Sequence, residues 1–434
     1  MCKIRKEIVA GRGFYFMPSS MTVIKVTVRE KYIHQKMVDA IEKLEKTHPI
    51  INNIVVQKQG KLWFEDIGIH LSVIRYTDNE MTDWQKIADN ILLKFYDLSK
   101  EPGVTIAVLE HKECFDVLTA VHHIYGDGVS LKYIMSDLLY IYSTGNTISP
   151  RTALTELSEK HLTSQIHISE ELNKKINEII EKCNETKPAF DYEMFHKMKM
   201  LDNKLVRYEF VFGNIDGLEY YKLKQMCKMY NITINSAIMT ALVSVIQSEE
   251  GIHAIIPVNT RPLLGYSEDK GLANFASSIR PFFKYQQEIS FWDNAVAFHE
   301  IIQAFRNDVN KLLENLYSFM KLNENIFGMS YFAQYGMFKD LDLVMKLQDI
   351  LGIDIRKKNV DFSNIGEMFI DGADENMIFS DCYSMSNHVP ACECVVTAVS
   401  MNGDLTLSLG YSLRHISPDS AKNIMNTVID KLLQ

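Results

Sequence analysis

Short runs of apolar residues alternate along this chain with longer stretches that carry an apolar residue at every third or fourth position. The clearest example begins with the apolar and β-branched run from Cys114 to Val121, which predicts a buried strand. A Gly126-Asp127-Gly128 turn follows, and a helical pattern then extends from Val129 to about Tyr142. We therefore expect a strand, a tight turn and a helix in direct succession.

The same patterns divide most of the chain into strands and helices, after an irregular start before residue 30. Helices are predicted at 30–47, 82–98, 168–182, 218–229, 233–246, 289–321, 338–351 and 418–433. Strands are predicted at 53–57, 61–64, 70–76, 105–110, 205–212, 253–256, 376–383, 392–401 and 405–411. This mixture predicts an α/β fold with mixed sheets.

The length of 434 residues exceeds one compact core, so we expect two or three domains. We divide the chain into an N-terminal lobe, 1–185, and a C-terminal lobe, 186–434, with a crossover near 184–200. No apolar run is long enough to span a bilayer, and the N-terminus lacks a signal-peptide pattern. The seven scattered cysteines fit reduced thiols and a cytosolic location, and Cys392 and Cys394 are expected in the core.

The predicted strand ends at two consecutive histidines, so a rigid element presents either His122 or His123. A neutral imidazole is a suitable general base near pH 7, and a positioned base contributes roughly 10²–10⁴-fold in rate. Two histidines that simply cap a strand, with Asp127 as an ordinary turn residue, are the structural alternative. The net charge of −9 argues against broad nucleic-acid binding, and no metal-ligand spacing is present.

The spacing His122-His123-x-x-x-Asp127-Gly128 resembles the signature of the acyl-CoA-dependent acyltransferase superfamily. That superfamily contains chloramphenicol acetyltransferase, peptide-synthetase condensation domains and alcohol acetyltransferases. The resemblance implies two lobes in a V with a central tunnel, and it implies that His123 is the general base. It also implies that Asp127 forms an ion pair with an arginine.

Two later segments extend the resemblance. Pro257-Val-Asn-Thr-Arg261 resembles the family's Pro-Val-x-x-Arg element, so Arg261 would pair with Asp127, and Arg280 is a competitor for that role. Asn274 lies in a segment similar to the family's Gly-Asn-Phe element. A surface arginine in a proline-bounded loop is the structural alternative for Arg261.

The segment from Asp361 through Ser363 and Asn364 to Gly366 resembles the Ser-Asn-x-Gly element of alcohol acetyltransferases. Ser363 or Asn364 could donate a hydrogen bond to the oxyanion of the reaction, and we favour Ser363. A turn at a strand edge is the structural alternative. Just before this segment, Arg356, Lys357 and Lys358 either contact the phosphates of coenzyme A or form a solvated strand end.

The sequence thus favours an acyltransferase that moves an acyl group from acyl-CoA to a small alcohol or amine. No bound cofactor is expected, since the thioester is a co-substrate. A condensing enzyme that uses a phosphopantetheine thioester on a carrier protein is one alternative. An inactive binding protein of the same fold is the other.

Overall fold

The structure is a computed structural model. It describes residues 5–9, 11–18, 20–77, 83–151, 159–186, 192–205, 207–246, 249–267, 269–333, 335–338, 341–352, 359–387 and 392–434.

The helices agree with the predicted periodicity in most places, with ends shifted by a few residues. They are α1 (His34–Thr47), α2 (Trp84–Leu93), α3 (Gly128–Thr144), α4 (Glu159–Thr163), α5 (Glu170–Thr186), α6 (Tyr192–Leu205), α7 (Gly217–Met229), α8 (Ile234–Ile246), α9 (Phe291–Asn307), α10 (Val309–Lys321), α11 (Glu324–Ala333), α12 (Asp342–Leu351) and α13 (Pro418–Leu432). Short 3-10 turns lie at Arg12–Phe14 and Pro262–Leu264.

The strands are mostly short, and β2, β7 and β14 are completely buried. They are β1 (Arg5–Glu7), β2 (Met21–Val28), β3 (Ile54–Lys58), β4 (Lys61–Glu65), β5 (Val73–Thr77), β6 (Val104–Glu110), β7 (Phe115–His122), β8 (Tyr208–Ile215), β9 (Ile252–Asn259), β10 (Ala276–Ile279), β11 (Phe282–Phe283), β12 (Asn359–Glu367), β13 (Phe379–Ser386), β14 (Cys394–Met401) and β15 (Asp404–Ser412).

In the described part of the chain these strands form three sheets, and two of them are large. One large sheet has the order β13-β2-β7-β6-β5, and β13 comes from the C-terminal half of the sequence. The other has the order β10-β9-β12-β14-β15-β8, with β11 also paired to β9. Both contain parallel and antiparallel pairs, which confirms the predicted mixed sheets. The predicted lobe boundary at 185/186 stays a prediction.

Strand β2 was not predicted, although all eight of its residues are buried. Its polar positions explain the omission, because Lys25 and Thr27 interrupt the apolar pattern. The Nζ atom of Lys25 lies 2.9 Å from Oδ1 of Asp116, and the Thr27 hydroxyl donates to the same oxygen at 2.6 Å. A buried lysine is stable here because the neighbouring strand supplies its counter-ion.

The expected crossover between lobes at 184–200 stays a prediction; helix α6 begins within it. The single long helix predicted at 289–321 was wrong. It is two helices, because Asp308 ends α9 and its side chain accepts a hydrogen bond from the Lys311 amide at the start of α10. A capping aspartate such as Asp308 is difficult to recognise in a sequence when the apolar residues on both sides of it keep the same helical spacing.

No single described helix is both long and apolar enough to cross a membrane, although α7 and α8, bent by 98° to one another, pass the length and composition test as a pair. Cys392 and Cys394 are buried, and Cys394 packs in the core of the C-terminal sheet. All six cysteines in the described ranges are free thiols, as expected from their spacing.

Candidate active site

The histidine pair lies at the end of β7, which is hydrogen-bonded to β2 on one side and β6 on the other. The backbone amides of His122 and His123 donate to the carbonyls of Gly103 and Ser20, each at 2.7 Å. The amide of Tyr125 then donates to the His122 carbonyl at 2.8 Å and turns the chain away from the sheet. These backbone hydrogen bonds fix the position at which the loop leaves the strand.

Gly126 occupies the closest approach between this loop and α3. A Cβ atom at Gly126 would lie only 2.4 Å from the Cβ atom of Ser130. At Gly128 the nearest atom to an added Cβ would be a side-chain carbon of Ile365, at an ordinary 3.7 Å. Only the first glycine of the turn is therefore required by its surroundings.

Asp127 caps α3 and binds a buried arginine. Its Oδ1 atom accepts from the Ser130 amide at 3.0 Å, and its Oδ2 atom accepts from Nη1 of Arg261 at 2.6 Å and from the Phe275 amide at 3.0 Å. Asp127 is 3% exposed and Arg261 1% exposed. Burial alone would raise the pKa of Asp127, but Arg261 and the two amides hold that pKa below its usual value. Arg261, and not Arg280, is thus its partner in the structure.

The segment before β10 closes over the same loop. Nη2 of Arg261 donates to the carbonyl of Ala273 at 2.8 Å, and the Arg261 guanidinium lies 5.1 Å from the ring centroid of Phe275. A further contact involves the candidate histidine itself: Nδ2 of Asn274 donates to the backbone carbonyl of His123 at 3.0 Å. Residues more than a hundred positions apart therefore fix the backbone of the candidate base.

The His123 side chain is partly exposed, and its ring contacts the Phe14 ring at a centroid distance of 4.9 Å. Its Nδ1 atom is buried. Burial lowers the pKa of His123, against the opposing effects of the Asp127 charge and of a hydrogen bond to the Gly126 backbone. The imidazole is therefore neutral at pH 7, which is the form that accepts a proton.

His122 has different surroundings. It lines a cavity of about 20 Å³ together with Lys199, and its Nδ1 atom accepts from the Ile124 amide at 3.3 Å. Burial, together with His123 and Lys199, lowers the pKa of His122 to about 3. His122 is therefore enclosed and contacts the turn, whereas His123 is partly exposed.

The segment Asp361–Gly366 lies within β12 and pairs with β14, whereas the pairing of β12 with β9 ends at Asp361. The segment is therefore part of a strand, with an irregularity between Asn364 and Gly366. Phe362 is fully buried in the core on one side of the strand. Because side chains alternate along a strand, Asp361 and Ser363 lie on the opposite face, which is partly exposed.

Asn364 is occupied by structural hydrogen bonds. Its Nδ2 atom donates to Oδ1 of Asn235 at 2.6 Å, and its Oδ1 atom accepts from the Gly366 amide at 2.7 Å. Gly366 has a φ of 81°, a conformation that favours glycine, at the irregularity where β12 changes register against β14. Of the two proposed oxyanion donors, Ser363 is the one whose side chain has no such role among the described contacts.

Asp361, two residues before Ser363 on the same face of β12, interacts electrostatically with Arg280. Burial raises the pKa of Asp361 to about 7, with Arg280 opposing the shift, and burial lowers the pKa of Arg280 to about 10. Oδ1 of Asp361 and Nε of Arg280 are buried without a hydrogen-bond partner among the described residues. Arg356, Lys357 and Lys358 lie outside those residues, so their proposed phosphate contacts stay a prediction.

Sequence reasoning missed the residues that cover the histidine. Phe14 contacts His123, and the preceding Gly11 lies against the same loop. Nothing in the sequence linked this irregular segment to a position more than a hundred residues away. Within the described ranges no group of three or more His, Cys, Asp or Glu side chains could hold a metal ion.

No protein-family model matches the chain. A curated relative, cyclosporin synthetase simA from Tolypocladium inflatum, is 24% identical over 251 residues, which cover 54% of this chain but 2% of the synthetase. The solved epimerization domain from the third module of tyrocidine synthetase B matches 99% of this chain and 96% of its own length, with a TM-score of 0.66 at 14% identity. The first condensation domain of the CDA synthetase matches 99% of this chain and 95% of its own length, with a TM-score of 0.66 at 8% identity.

The chain has the condensation-domain fold. This confirms the predicted α/β class with two chloramphenicol-acetyltransferase-like lobes. At these identities the similarity concerns the fold alone, and the matched region is a small fraction of the curated synthetase. The condensation-domain fold does explain why residues from both halves of the chain meet at the His123 loop.

Replacing Arg261 with Met should lower the free energy of unfolding by about 3–5 kcal/mol, because it leaves the buried Asp127 carboxylate without its counter-ion. Urea unfolding followed by circular dichroism measures this change. Arg75→Met is the matched control, since Arg75 pairs with Glu110 on the surface and an exposed pair contributes about 0–1 kcal/mol. Equal losses in the two variants would contradict a special role for the buried pair.

The two glycines of the turn should respond differently to alanine. Gly126→Ala should destabilise the protein by about 1–3 kcal/mol, because the new methyl group overlaps Ser130. Gly128→Ala should be neutral or stabilising by about 0.4–1 kcal/mol, because alanine restricts the unfolded chain and fits the helix. Thermal unfolding of both variants decides this, and the reverse order would show that the close contact at Gly126 is easily relieved.

Proposed function

We propose that this chain catalyses condensation: it transfers an acyl group from a thioester on a carrier-protein phosphopantetheine to an amine or hydroxyl acceptor. The condensation-domain fold supports the reaction class, and the observation that carries the proposal is the neutral, partly exposed imidazole of His123 on its braced loop. Coenzyme A as the donor has less support, because the similar proteins are peptide synthetases and their domains, among them cyclosporin synthetase and the CDA synthetase. A cytosolic location, where thiols stay reduced, belongs to the same proposal.

In this mechanism the acceptor attacks the thioester carbonyl directly. The His123 imidazole removes the proton from the acceptor nitrogen or oxygen as the new bond to the carbonyl carbon forms. The tetrahedral intermediate then collapses, the carbon–sulfur bond breaks, and the same imidazole returns its proton to the leaving thiolate. One base serves both steps, so no protein nucleophile is required.

Asp127, Arg261 and Asn274 are positioning residues in this scheme. Asp127 and Arg261 are nearly inaccessible to solvent and hold the loop, and Asn274 holds the backbone carbonyl of His123. Such a scaffold matters because a misplacement of about 1 Å can cost about 10²-fold in rate. Their contribution to the rate is therefore indirect.

The oxyanion that develops on the thioester carbonyl needs a hydrogen-bond donor. Ser363 is our candidate, because its hydroxyl lies on the partly exposed face of β12 and Asn364 is already occupied. A donor fixed on a central strand needs little reorganisation during the reaction, which is the condition under which it contributes most.

The first prediction from this mechanism concerns the donor and His123. The protein should release thiol from acyl-phosphopantetheine carrier protein only when an amine or alcohol acceptor is present, and His123→Ala should lower that rate about 10²–10⁴-fold. Thiol titration with mass spectrometry of the product measures both. With an alcohol acceptor, which does not itself titrate in this range, kcat/KM should be level above pH 6.5 and fall only below it, because burial lowers the pKa of His123 from 6.5 and the imidazole becomes protonated only in that lower range.

The alternatives give different results in the same assay. Turnover with free acyl-CoA in place of the carrier-bound thioester would favour the CoA-dependent acyltransferase. Acceptor-dependent binding without thiol release from either donor would indicate an inactive binding protein. His122→Ala is the control for proton transfer, since it should alter stability without moving the acid limb of the pH profile.

Ser363→Ala should lower kcat about 10²–10³-fold, equivalent to about 2.7–4 kcal/mol of transition-state stabilisation, with little change in KM. Ser363→Thr keeps a hydroxyl and should recover much of the activity. Steady-state kinetics measure these effects, and urea unfolding checks that both variants are folded. A kcat that survives in Ser363→Ala would remove this serine from the mechanism.

A further inference from the structure

The segment from Gly11 to Phe14, here called the strap, lies directly on the His123 loop. A Cβ atom at Gly11 would lie 3.2 Å from the His123 carbonyl oxygen and 3.2 Å from the Cβ atom of Asn274. Gly11 also has a φ of 87°, so a side chain there would be strained as well as crowded. The strap is therefore packed as closely to the catalytic loop as backbone allows.

The strap places an aromatic side chain beside the candidate base. The Phe14 ring lies 4.9 Å from the His123 ring and 5.8 Å from the nearly parallel Phe319 ring, centroid to centroid. Phe319 in turn stacks on Phe327 at 4.7 Å, and Phe327 is fully buried. Phe14 and Phe319 remain partly exposed. The row of three rings therefore extends from the core to the surface, and its apolar surface lies next to the His123 imidazole.

An ion pair fixes the strap in place. Arg12 donates from Nη2 and Nε to Oε2 of Glu324, at 2.6 and 3.2 Å, and Gln57 donates to Oε1 at 2.8 Å. Glu324 is completely buried, and it is the first residue of α11. Both carboxylate oxygens of Glu324 accept hydrogen bonds, and these bonds join the strap to β3 and to α11. The apolar surface of the strap is therefore held in a fixed position.

We propose that Phe14 and Phe319 form a specificity wall that selects substrates with an uncharged, flat apolar group next to the reacting atom. The inference rests on the proposed function, since it concerns the substrate of the same histidine. Flat groups stack well on aromatic rings, whereas a charged group would lose its hydration against them without gaining a partner. A hydrophobic contact of this size changes selectivity about 10–200-fold per methylene-sized group.

The apolar group could belong to the acyl donor or to the acceptor, and two experimental arms separate these sources. In the acyl arm, benzoyl and succinyl thioesters of N-acetylcysteamine are compared with benzylamine as the fixed acceptor. In the acceptor arm, benzylamine and glycine are compared with acetyl-N-acetylcysteamine as the fixed donor. We expect a preference of at least about 10-fold in kcat/KM for the aromatic member of one arm.

Phe14→Ala and Phe319→Ala should each reduce that preference, mainly by raising KM for the aromatic substrate, and Phe14→Leu should restore part of it. Phe305→Ala is the matched control, since Phe305 is exposed on α9. The preference of Phe305→Ala for the aromatic substrate should equal that of the unmodified protein. Unchanged selectivity in both wall variants would overturn the proposal.

A readout without turnover separates this proposal from the proposed function. Diethyl pyrocarbonate modifies accessible imidazoles, and mass spectrometry follows the modification of His123. N-Benzylacetamide should protect His123 more than N-acetylglycine does, and Phe14→Ala should abolish the difference. Protection in a protein that turns over no thioester would reject the condensation activity and retain the wall, whereas equal protection by both amides would reject the wall itself.

Discussion

The ion pair between Asp127 and Arg261 is the interaction on which the rest of this site depends. Removing two charges from water costs several kcal/mol per ion, so a buried pair is stable only when hydrogen bonds satisfy the remaining positions. Here both oxygens of Asp127 accept hydrogen bonds, and Arg261 also donates to Ser130 and Ala273. Those partners come from both halves of the chain. The pair can form only when both are in place, so folding and assembly of the loop are coupled.

The same surroundings bear on the pKa of His123. The Asp127 carboxylate, four residues away, raises the pKa of the imidazole, and Arg261, 2.6 Å from that carboxylate, opposes its field. Burial then dominates and lowers the pKa of His123. The ion pair therefore gives the loop rigidity without turning the base into an imidazolium. A lone aspartate at the same position would give neither result.

Local patterns were sufficient for the parts of the site that are contiguous in sequence. The strand, turn and helix around His123 follow from hydrophobic periodicity and turn residues. The resemblance of Pro257–Arg261 to a known motif made Arg261 the favoured partner of Asp127 but left Arg280 as a competitor, and only the contact in the structure decides between them. Strand β2 was not recognised because it contains Lys25. Only the contact with Asp116 on the neighbouring strand shows that the charge of this lysine is compensated. Phe14, Glu324 and the engagement of Asn364 by Asn235 depend on contacts between distant segments. A single sequence contains no local signal for such contacts.

The relative position of His123 and Ser363 follows from the same long-range contacts. Asp127 begins α3, and that helix also contacts the segment in and after β12: Lys132 donates to the carbonyl of Ile365 at 3.4 Å, and Ser136 donates to the carbonyl of Phe369 at 2.7 Å. Strand β12, which carries Ser363, is thus joined by hydrogen bonds to α3, the helix that follows the His123 loop. Two independent connections, one through Arg261 and one through α3, join the two sides of the site. Because preorganised groups contribute most when the protein and not the substrate positions them, this double connection supports the proposal that both residues act in one reaction.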